Sequence, residues 1–324
     1  MTAVKNRRTK LRIISGFLGA GKTTFLQHLI NSSKDENSNI IVNELSEHSV
    51  DDILLHKAGS IIKIADGCIC CTKKAELEEV LLAYCNDKTG QELSSGTREE
   101  RILIETSGVS DSGSIYNAII NNATISKHII IENLTVLIDA TYKRLGDELQ
   151  AFIRNQIINA DEVIISKVDL VTQETVFELS DFIKSINSQA KISSSVKGKT
   201  KLLYEKYSRS KNRVQELPQQ EQNYISEIFS LKIPLKTNAD WDYLVIWVSA
   251  LLHCHGNNLL RVKGIVSSPI GPLLLQGVGR HLQYPQKLPN RFISKPKYLI
   301  LIGLKINKDV ILEAAKSINQ ESKF

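Results

Sequence analysis

The sequence has no long apolar run and little cysteine, and each absence excludes a class of protein. No stretch approaches the roughly 20 consecutive apolar residues that a membrane-spanning helix needs, so no membrane partner is expected. Residues 1–10 are polar and basic, without the apolar core of a secretory signal. Five cysteines in 324 residues, three of them clustered, do not form the pattern of a disulfide framework. A reducing cytoplasm is therefore the expected location.

The chain also has only a small excess of positive over negative charge. The chain has 41 Lys and Arg residues against 35 Asp and Glu, a net charge of +6, and much of the excess lies between residues 197 and 213. No aromatic residues alternate with the basic ones in a binding motif, so a solvated loop explains this excess better than a nucleic-acid interface. We therefore expect no nucleic-acid partner.

Short β-branched runs alternate with helical patterns through residues 1–192. The runs are apolar on both faces, which suits the buried strands of a parallel sheet. This alternation predicts an α/β fold, a doubly wound parallel sheet of the P-loop type. The predicted strands are 11–14, 40–42, 61–64, 102–104, 135–138 and 163–165, and the predicted helices are 23–31, 74–84, 113–121, 149–160 and 173–188.

The pattern changes after residue 192. Residues 193–223 are rich in Ser, Lys and Gln, which predicts a linker. A second, smaller α+β domain is predicted over residues 224–324. Its predicted strands are 228–233, 259–266, 272–278 and 298–304, and its predicted helices are 241–253 and 308–318.

A phosphate-binding loop follows the first predicted strand. The segment that starts at Gly16 reads G-F-L-G-A-G-K-T and precedes a helix, which is the setting this motif requires. Its glycines let successive N–H groups point at phosphate oxygens, and the helix adds its positive N-terminal end. Lys22 is predicted to reach the β- and γ-phosphates as a catalytic residue, and Thr23 to bind Mg²⁺. The predicted nucleotide contacts in this loop come from Gly16, Gly19, Ala20, Gly21, Lys22, Thr23 and Thr24.

A base-reading segment follows a later strand. Ser166, Lys167 and Asp169 form S-K-x-D, which resembles the N-K-x-D of P-loop GTPases. Asp169 would accept hydrogen bonds from the guanine N1–H and amine, an arrangement that adenine cannot satisfy, and the stem of Lys167 would cover the base. Ser166 in place of Asn removes one amide contact, and an ordinary strand-end turn is the alternative interpretation. The sequence favours GTP as the nucleotide.

A cluster of thiols, Cys68, Cys70 and Cys71, has metal-ligand spacing. Thiolates are soft ligands that prefer Zn²⁺, Cu⁺ or Co²⁺ to Mg²⁺. Three of them leave a tetrahedral site one ligand short, to be completed by a carboxylate, a histidine, water or a partner group. The candidates that follow an earlier strand are Glu44, Glu47 and His48. Buried reduced cysteines or a regulatory thiol pair are the alternatives. Cys85, one helix later, is predicted to pack in the core.

Each of these segments follows a predicted strand, so all of them should meet at the carboxyl edge of one sheet. Glu105 ends another such strand, and we expect it to bond the Mg²⁺ shell or to position water. A γ-phosphate at this edge could hold the neighbouring loops in one arrangement and release them after hydrolysis.

Two histidines at the end of helix 241–253 allow two interpretations. His253 and His255 cannot share a helical face, although a break at Gly256 could bring them together as a second metal site. Imidazoles that interact with the negative end of the helix dipole are the alternative, and the sequence favours it.

Taken together, these motifs resemble the CobW family of metallochaperone GTPases, relatives of the nickel-inserting GTPases of urease and hydrogenase. The loop from Gly16 and the G-C-I-C-C of residues 67–71 match that family without a change. The E-x-x-G that begins at Glu105 fits its γ-phosphate switch. Residues 43–47, followed by Asp51, resemble its first switch, which gives Asp51 a Mg²⁺ or switch role. Residues 259–264 match the L-R-x-K-G of its C-terminal domain.

The resemblance implies GTP hydrolysis coupled to Zn²⁺, or to Co²⁺, and delivery of the ion to a client apo-metalloprotein that docks on the C-terminal domain. A GTP-regulated scaffold or redox protein with structural thiols, a small-molecule kinase and a cobalt-insertion accessory protein of the cobalamin pathway are the alternatives. The sequence leaves open whether two copies form a homodimer.

Overall fold

A computed structural model of the chain describes residues 8–31, 38–42, 60–63, 72–89, 101–108, 110–142, 147–203, 228–236, 239–256, 258–278 and 280–319. The chain divides into two compact units, which we describe separately. The first comprises Met1–Lys184 and Ala190–Arg209, and the second comprises Ser185–Gln189 and Ser210–Phe324. Within the described ranges, no helix is long and apolar enough to cross a membrane.

The first unit is built on one eight-stranded sheet. Its strands are β1 (Thr9–Gly16), β2 (Asn39–Val42), β3 (Ser60–Lys63), β4 (Arg101–Glu105), β5 (Ile129–Asp139), β6 (Glu162–Ser166), β7 (Lys191–Val196) and β8 (Lys199–Leu202). They run in the order β3-β2-β4-β1-β5-β6-β7-β8. All neighbours from β3 to β7 are parallel, and β8 is antiparallel to β7. The predicted α/β fold with a parallel sheet is confirmed.

Helices connect the parallel strands. Within the described ranges they are α1 (Lys22–Ile30), α2 (Thr72–Thr89), α3 (Ser112–Asn121), α4 (Ala123–His128), α5 (Asp147–Asn159) and α6 (Gln173–Ile186). Helix α1 packs the side chains of Phe25, Leu26 and Ile30 into the same apolar cluster as Ile14 of β1, so the element that follows the phosphate loop is anchored to the sheet. Cys85 on α2 is buried, and this burial raises the pKa of its thiol.

The sheet continues past the boundary predicted at residue 192. The segment predicted to be a linker, residues 193–223, begins inside β7, and β7 and β8 form a hairpin. Its turn residues Lys197 and Gly198 have φ values of 47° and 82°, the left-handed backbone that two-residue hairpins favour. The apolar signal of β7 is weak because serines occupy its buried positions. Ser193 compensates by donating a hydrogen bond to Glu162 (Oγ to Oε1, 3.0 Å).

The second unit is an antiparallel sheet with helices α7 (Trp241–His255) and α8 (Lys308–Lys316). Its strands are β9 (Ile228–Leu235), β10 (Leu259–Val266), β11 (Leu273–Val278), β12 (His281–Leu282), β13 (Gln286–Lys287) and β14 (Lys297–Leu304). They run in the order β12-β11-β10-β14-β9, with β13 paired to β11. The Asp240 carboxylate accepts hydrogen bonds from two backbone N–H groups and so begins α7. Buried residues of α7 and α8, such as Leu244 and Ile311, form one core with the sheet, as expected of an α+β domain.

Candidate nucleotide-binding site

The loop between β1 and α1 has the backbone that a phosphate cradle needs. Gly16, Gly19 and Gly21 have φ values of 141°, 75° and 86°, a region that L side chains rarely adopt. A Cβ on Gly16 would lie 2.4 Å from the carbonyl oxygen of Leu137 on β5, so only glycine allows the two strands to approach here. Gly21 is also the N-cap of α1, so the positive end of the helix faces the loop.

Thr23 and Glu105 come together although 82 residues separate them, and Lys22 is held within the phosphate loop. The ammonium of buried Lys22 donates to the Phe17 carbonyl at 3.1 Å. The hydroxyl of Thr23 donates to Oε1 of Glu105 at 2.7 Å, and Glu105 is completely buried at the end of β4. A hydroxyl and a carboxylate are the hard oxygen donors that Mg²⁺ prefers, so this pair fits the expected ion.

A buried hydrogen-bond group lies beneath this pair. The hydroxyl of Ser15, just before the loop, accepts from Thr106 Oγ1 at 3.1 Å and from Gln156 Nε2 at 3.3 Å. Thr106 directly follows Glu105, and its backbone N–H also bonds the Ile14 carbonyl at 3.0 Å. The strand before the phosphate loop, the end of β4 and helix α5 are thereby held to one another.

The S-K-x-D segment contacts the phosphate loop directly. Ser166 is buried, and its hydroxyl donates to the Ala20 carbonyl at 2.8 Å, with the Ile138 carbonyl a second acceptor at 3.2 Å. The sequence predicted only that serine would lose an amide contact; the structure shows that its hydroxyl ties β6 to the loop. Lys167 follows in the left-handed conformation, with φ 57° and ψ 34°, and Asp169 is exposed in a single 3₁₀ turn.

Two residues that the sequence reasoning missed lie at the end of β5 and just beyond it. Asp139 is buried, and its Oδ2 lies 2.6 Å from the Lys167 ammonium, while its Oδ1 accepts from the N–H and hydroxyl of Thr141. The hydroxyl of Tyr142 donates to the Leu18 carbonyl in the phosphate loop, and its ring packs edge-on against Phe17. An aspartate directly after an apolar strand at this edge was the available signal.

These contacts control two pKa values. Burial acts to raise the pKa of Asp139, but the hydrogen bonds from Lys167 and Thr141, with the positive charge of Lys167, outweigh it and hold that pKa below its ordinary value. Burial, together with the negative charge of Asp139, raises the pKa of Tyr142. At neutral pH the site therefore holds a charged Asp139–Lys167 pair and a Tyr142 that keeps its proton.

Two further close approaches buttress the loop and its helix. A Cβ on Gly108, the glycine of the E-x-x-G segment, would lie 2.6 Å from the backbone nitrogen of Leu18. A Cβ on Gly198, in the β7–β8 turn, would lie 2.7 Å from the carbonyl oxygen of Thr24. Thr24 itself is exposed, and it contributes this backbone contact to the site.

The predicted metal residues Cys68, Cys70 and Cys71, with Glu44 and Asp51, lie outside the described residues. His253 and His255 occupy the last turn of α7. The negative end of a helix dipole stabilises positively charged side chains at this position. In the part of the chain that the structure describes, no three or more His, Cys, Asp or Glu side chains form a group that could hold a metal ion.

A glycine loop with left-handed residues, between a central parallel strand and a helix, with a buried lysine and a hydroxyl–carboxylate pair, defines a P-loop nucleoside triphosphatase. The comparison with protein families is more specific. Residues 10–194 match the family described as CobW/HypB/UreG, nucleotide-binding domain, and residues 228–318 match the cobalamin synthesis protein cobW C-terminal domain. The chain belongs to this CobW/HypB/UreG family and is a P-loop GTPase.

Similar proteins cover the chain almost completely. It is 26% identical to the zinc chaperone YjiA of Escherichia coli, across 93% of this chain and 96% of that one. It is 24% identical to the zinc chaperone CobW of Pseudomonas aeruginosa, across 92% and 88% of the two chains. The crystal structure of Zn(II)-bound YjiA GTPase from E. coli matches with a TM-score of 0.59 at 21% identity, over 97% of this chain and 99% of that one. At that identity the match establishes the shared fold.

Proposed function

We propose that this chain is a GTP-hydrolysing metallochaperone. It binds Zn²⁺, with Co²⁺ as the alternative ion, through Cys68, Cys70 and Cys71, and its nucleotide state controls its metal affinity. It then delivers the ion to a client apo-metalloprotein that docks on the C-terminal domain. The observation that carries the proposal is the contact between Thr23 and Glu105, because it joins the phosphate loop to the strand next to β2, from which the first switch segment departs.

The nucleotide half of the proposal rests on the chemistry of the described side chains. Lys22 exchanges its hydrogen bond to the Phe17 carbonyl for one to the γ-phosphoryl group, whose charge it neutralises, and Thr23 with Glu105 would hold Mg²⁺. Bound there, Mg²⁺ would neutralise charge on the β- and γ-phosphate oxygens. Lys167 covers the base, and Asp169 accepts from the guanine N1–H and amine. If the chain bound ATP as tightly as GTP, the proposed recognition of guanine by Asp169 would be wrong.

The metal half is supported by strand register. Val42 at the end of β2 pairs with Glu105, and Lys63 at the end of β3 pairs with Val42. Neighbouring strands lie about 4.8 Å apart, and Lys63 is two strands away from Glu105. The backbones of these two residues are therefore roughly 10 Å apart. The thiol motif starts five residues beyond Lys63, a reach of at most about 18 Å. A thiolate site beside the γ-phosphate position is therefore compatible with the chain lengths.

The names of the relatives support the cargo and the client. Two of them are zinc chaperones, and a relative from Dictyostelium discoideum, 26% identical over 56% of this chain and 44% of its own, is a zinc-regulated GTPase metalloprotein activator. Coupling follows if the loops after β2 and β3 adopt one arrangement around the γ-phosphate and another around GDP. A nucleotide can shift metal affinity only by its differential affinity for these arrangements.

The direct test measures Zn²⁺ affinity by competition with a chromophoric chelator, with GDP or with a non-hydrolysable GTP analogue bound. The expected result is tighter binding with the analogue, by a factor of about 10, within the usual range of coupling between sites. Equal affinities would refute the nucleotide gating. Cys70→Ala should lose the high-affinity site, whereas Cys254→Ser, at an exposed cysteine on α7, should keep it.

A further inference from the structure

The turn after β5, residues 139–142, contacts both halves of the nucleotide site. It is closed by a hydrogen bond from the Tyr142 N–H to the Asp139 carbonyl at 3.2 Å. Asp139 lies opposite Ser166 in the parallel pairing of β5 with β6, so the turn starts beside the S-K-x-D segment. Its last side chain reaches the phosphate loop on the other side.

The first contact of the turn fixes Lys167. The Asp139 carboxylate is 3% exposed and the Lys167 side chain 39% exposed, so the ammonium is held from the buried side while the stem faces outward. The backbone is fixed as well, because the Ala140 N–H donates to the Ser166 carbonyl at 2.9 Å. A lysine stem held at both ends presents a defined apolar surface for a base.

The second contact fixes the phosphate loop. The Tyr142 hydroxyl donates to the Leu18 carbonyl, and the Phe17 ring packs edge-on against the Tyr142 ring with centroids 5.9 Å apart. A second edge-on contact joins Phe17 to Phe152 of α5 at 6.1 Å. The outward-facing part of the loop is thereby held by a side chain from the far end of β5.

We propose that Asp139 and Tyr142 are positioning residues of the nucleotide site. Asp139 positions Lys167 against the guanine base, and Tyr142 positions the phosphate loop to bind the β-phosphate. The turn therefore links the residues that bind the base to those that bind the phosphates. The inference rests on the proposed function, because Lys167 and Asp169 must read the base.

The test compares the affinities of the full-length chain for GMP and GDP by calorimetry. Asp139→Asn keeps the size of the side chain and removes its charge, and it should weaken both nucleotides by the same factor of about 10, the size expected for loss of one charged hydrogen bond. Tyr142→Phe removes only the hydroxyl, and it should weaken GDP severalfold while GMP, which has no β-phosphate, is unchanged. A purely structural role would not separate the two nucleotides in this way.

Asp161→Asn is the matched control. The Asp161 carboxylate accepts a backbone hydrogen bond from Leu134 of β5 at 2.9 Å, just before the start of β6 and away from the strand end that carries Ser166. Asparagine can still accept this bond, so the variant makes the same substitution and removes the same charge away from the phosphate loop, and it should bind GMP and GDP as the wild type does. If Asp139→Asn fails to fold, Lys167→Met tests the same pair from its exposed partner and should weaken both nucleotides equally.

Two failures can be distinguished. If the wild-type chain binds ATP as tightly as GTP, the base reading in the proposed function is wrong. If it prefers GTP but Asp139→Asn, or Lys167→Met in its place, retains wild-type affinity, the role of Asp139 is wrong and the proposed function stands. Equal losses of GMP and GDP in Tyr142→Phe would overturn the role of Tyr142.

Discussion

The hydrogen bond from Ser166 to the phosphate loop offers the sharpest test of how the site is held together. Ser166→Ala removes one hydroxyl and leaves β6 otherwise unchanged. The lost partner is the carbonyl of Ala20, a residue that is completely buried, and no water can easily replace the donor there. The substitution therefore acts on the loop without touching any group proposed to contact the nucleotide phosphates.

The magnitude follows from the burial. A neutral hydrogen bond contributes about 1 kcal/mol net, and leaving a buried acceptor unsatisfied costs about 1–3 kcal/mol. We expect the free energy of unfolding of the first unit to fall by about 2 kcal/mol, which for a unit of this size lowers Tm by about 4–8 °C. GDP affinity should fall too, because the loosened loop must be reordered when phosphate binds.

The assay is thermal and urea unfolding of the full chain, with and without GDP, which reports nucleotide affinity through mass action. Ser194→Ala is the control: its hydroxyl donates to the Lys201 carbonyl at 3.3 Å on the exposed hairpin, and its loss should change Tm by about 2 °C or less. If Ser166→Ala shifts Tm and GDP affinity no more than this control, the hydroxyl does not tie the loop to β6.

Two further predictions concern the same edge of the sheet. Gly108→Ala forces a methyl group against the Leu18 backbone, so GTP hydrolysis, measured as phosphate release, should fall about fivefold or more, in line with an overpacking cost of about 1–3 kcal/mol; unchanged turnover would contradict this packing. The pKa of Asp139 is held below its ordinary value, so the stability that it contributes is present above about pH 4 and is lost as the pH falls through the lowered pKa. In urea unfolding, the advantage of wild type over Asp139→Asn should be constant above about pH 5 and shrink below about pH 4, whereas an advantage that grows in acid would refute the sign.

The main elements of the fold were predictable from local apolar patterns. The other strands have polar residues in their pattern, and contacts with distant segments compensate for these residues. β4 and β6 have continuous apolar centres, the apolar run of β1 is interrupted only by Arg12, and all three lie where the sequence predicted them. The prediction for β5, residues 135–138, was too short because polar Glu132 and Asn133 interrupt the apolar pattern of the strand. The structure accommodates them with a register shift between Leu11 and Arg12 of β1. β7 was missed since serines replace apolar residues at its buried positions.

The candidate site divides in the same way. The phosphate loop is predictable because glycines at fixed spacing determine a local backbone, and the strand and helix beside it are strong local signals. The contacts of Ser166, Asp139 and Tyr142 depend on which strands are neighbours and on their register. Neither of these can be predicted from a short segment of sequence. Tyr142 in particular has no motif, and its partner Leu18 lies 124 residues earlier.

The hairpin turn at Gly198 has a consequence for how the chain matures during synthesis. Its backbone packs against the carbonyl of Thr24, and Gly108, Tyr142 and Ser166 contact the same loop and helix. The phosphate loop is made early, but its last support is translated about 9–35 s later at ordinary elongation rates. A nascent chain that has exposed the motif therefore lacks a finished nucleotide site until the hairpin has left the ribosome.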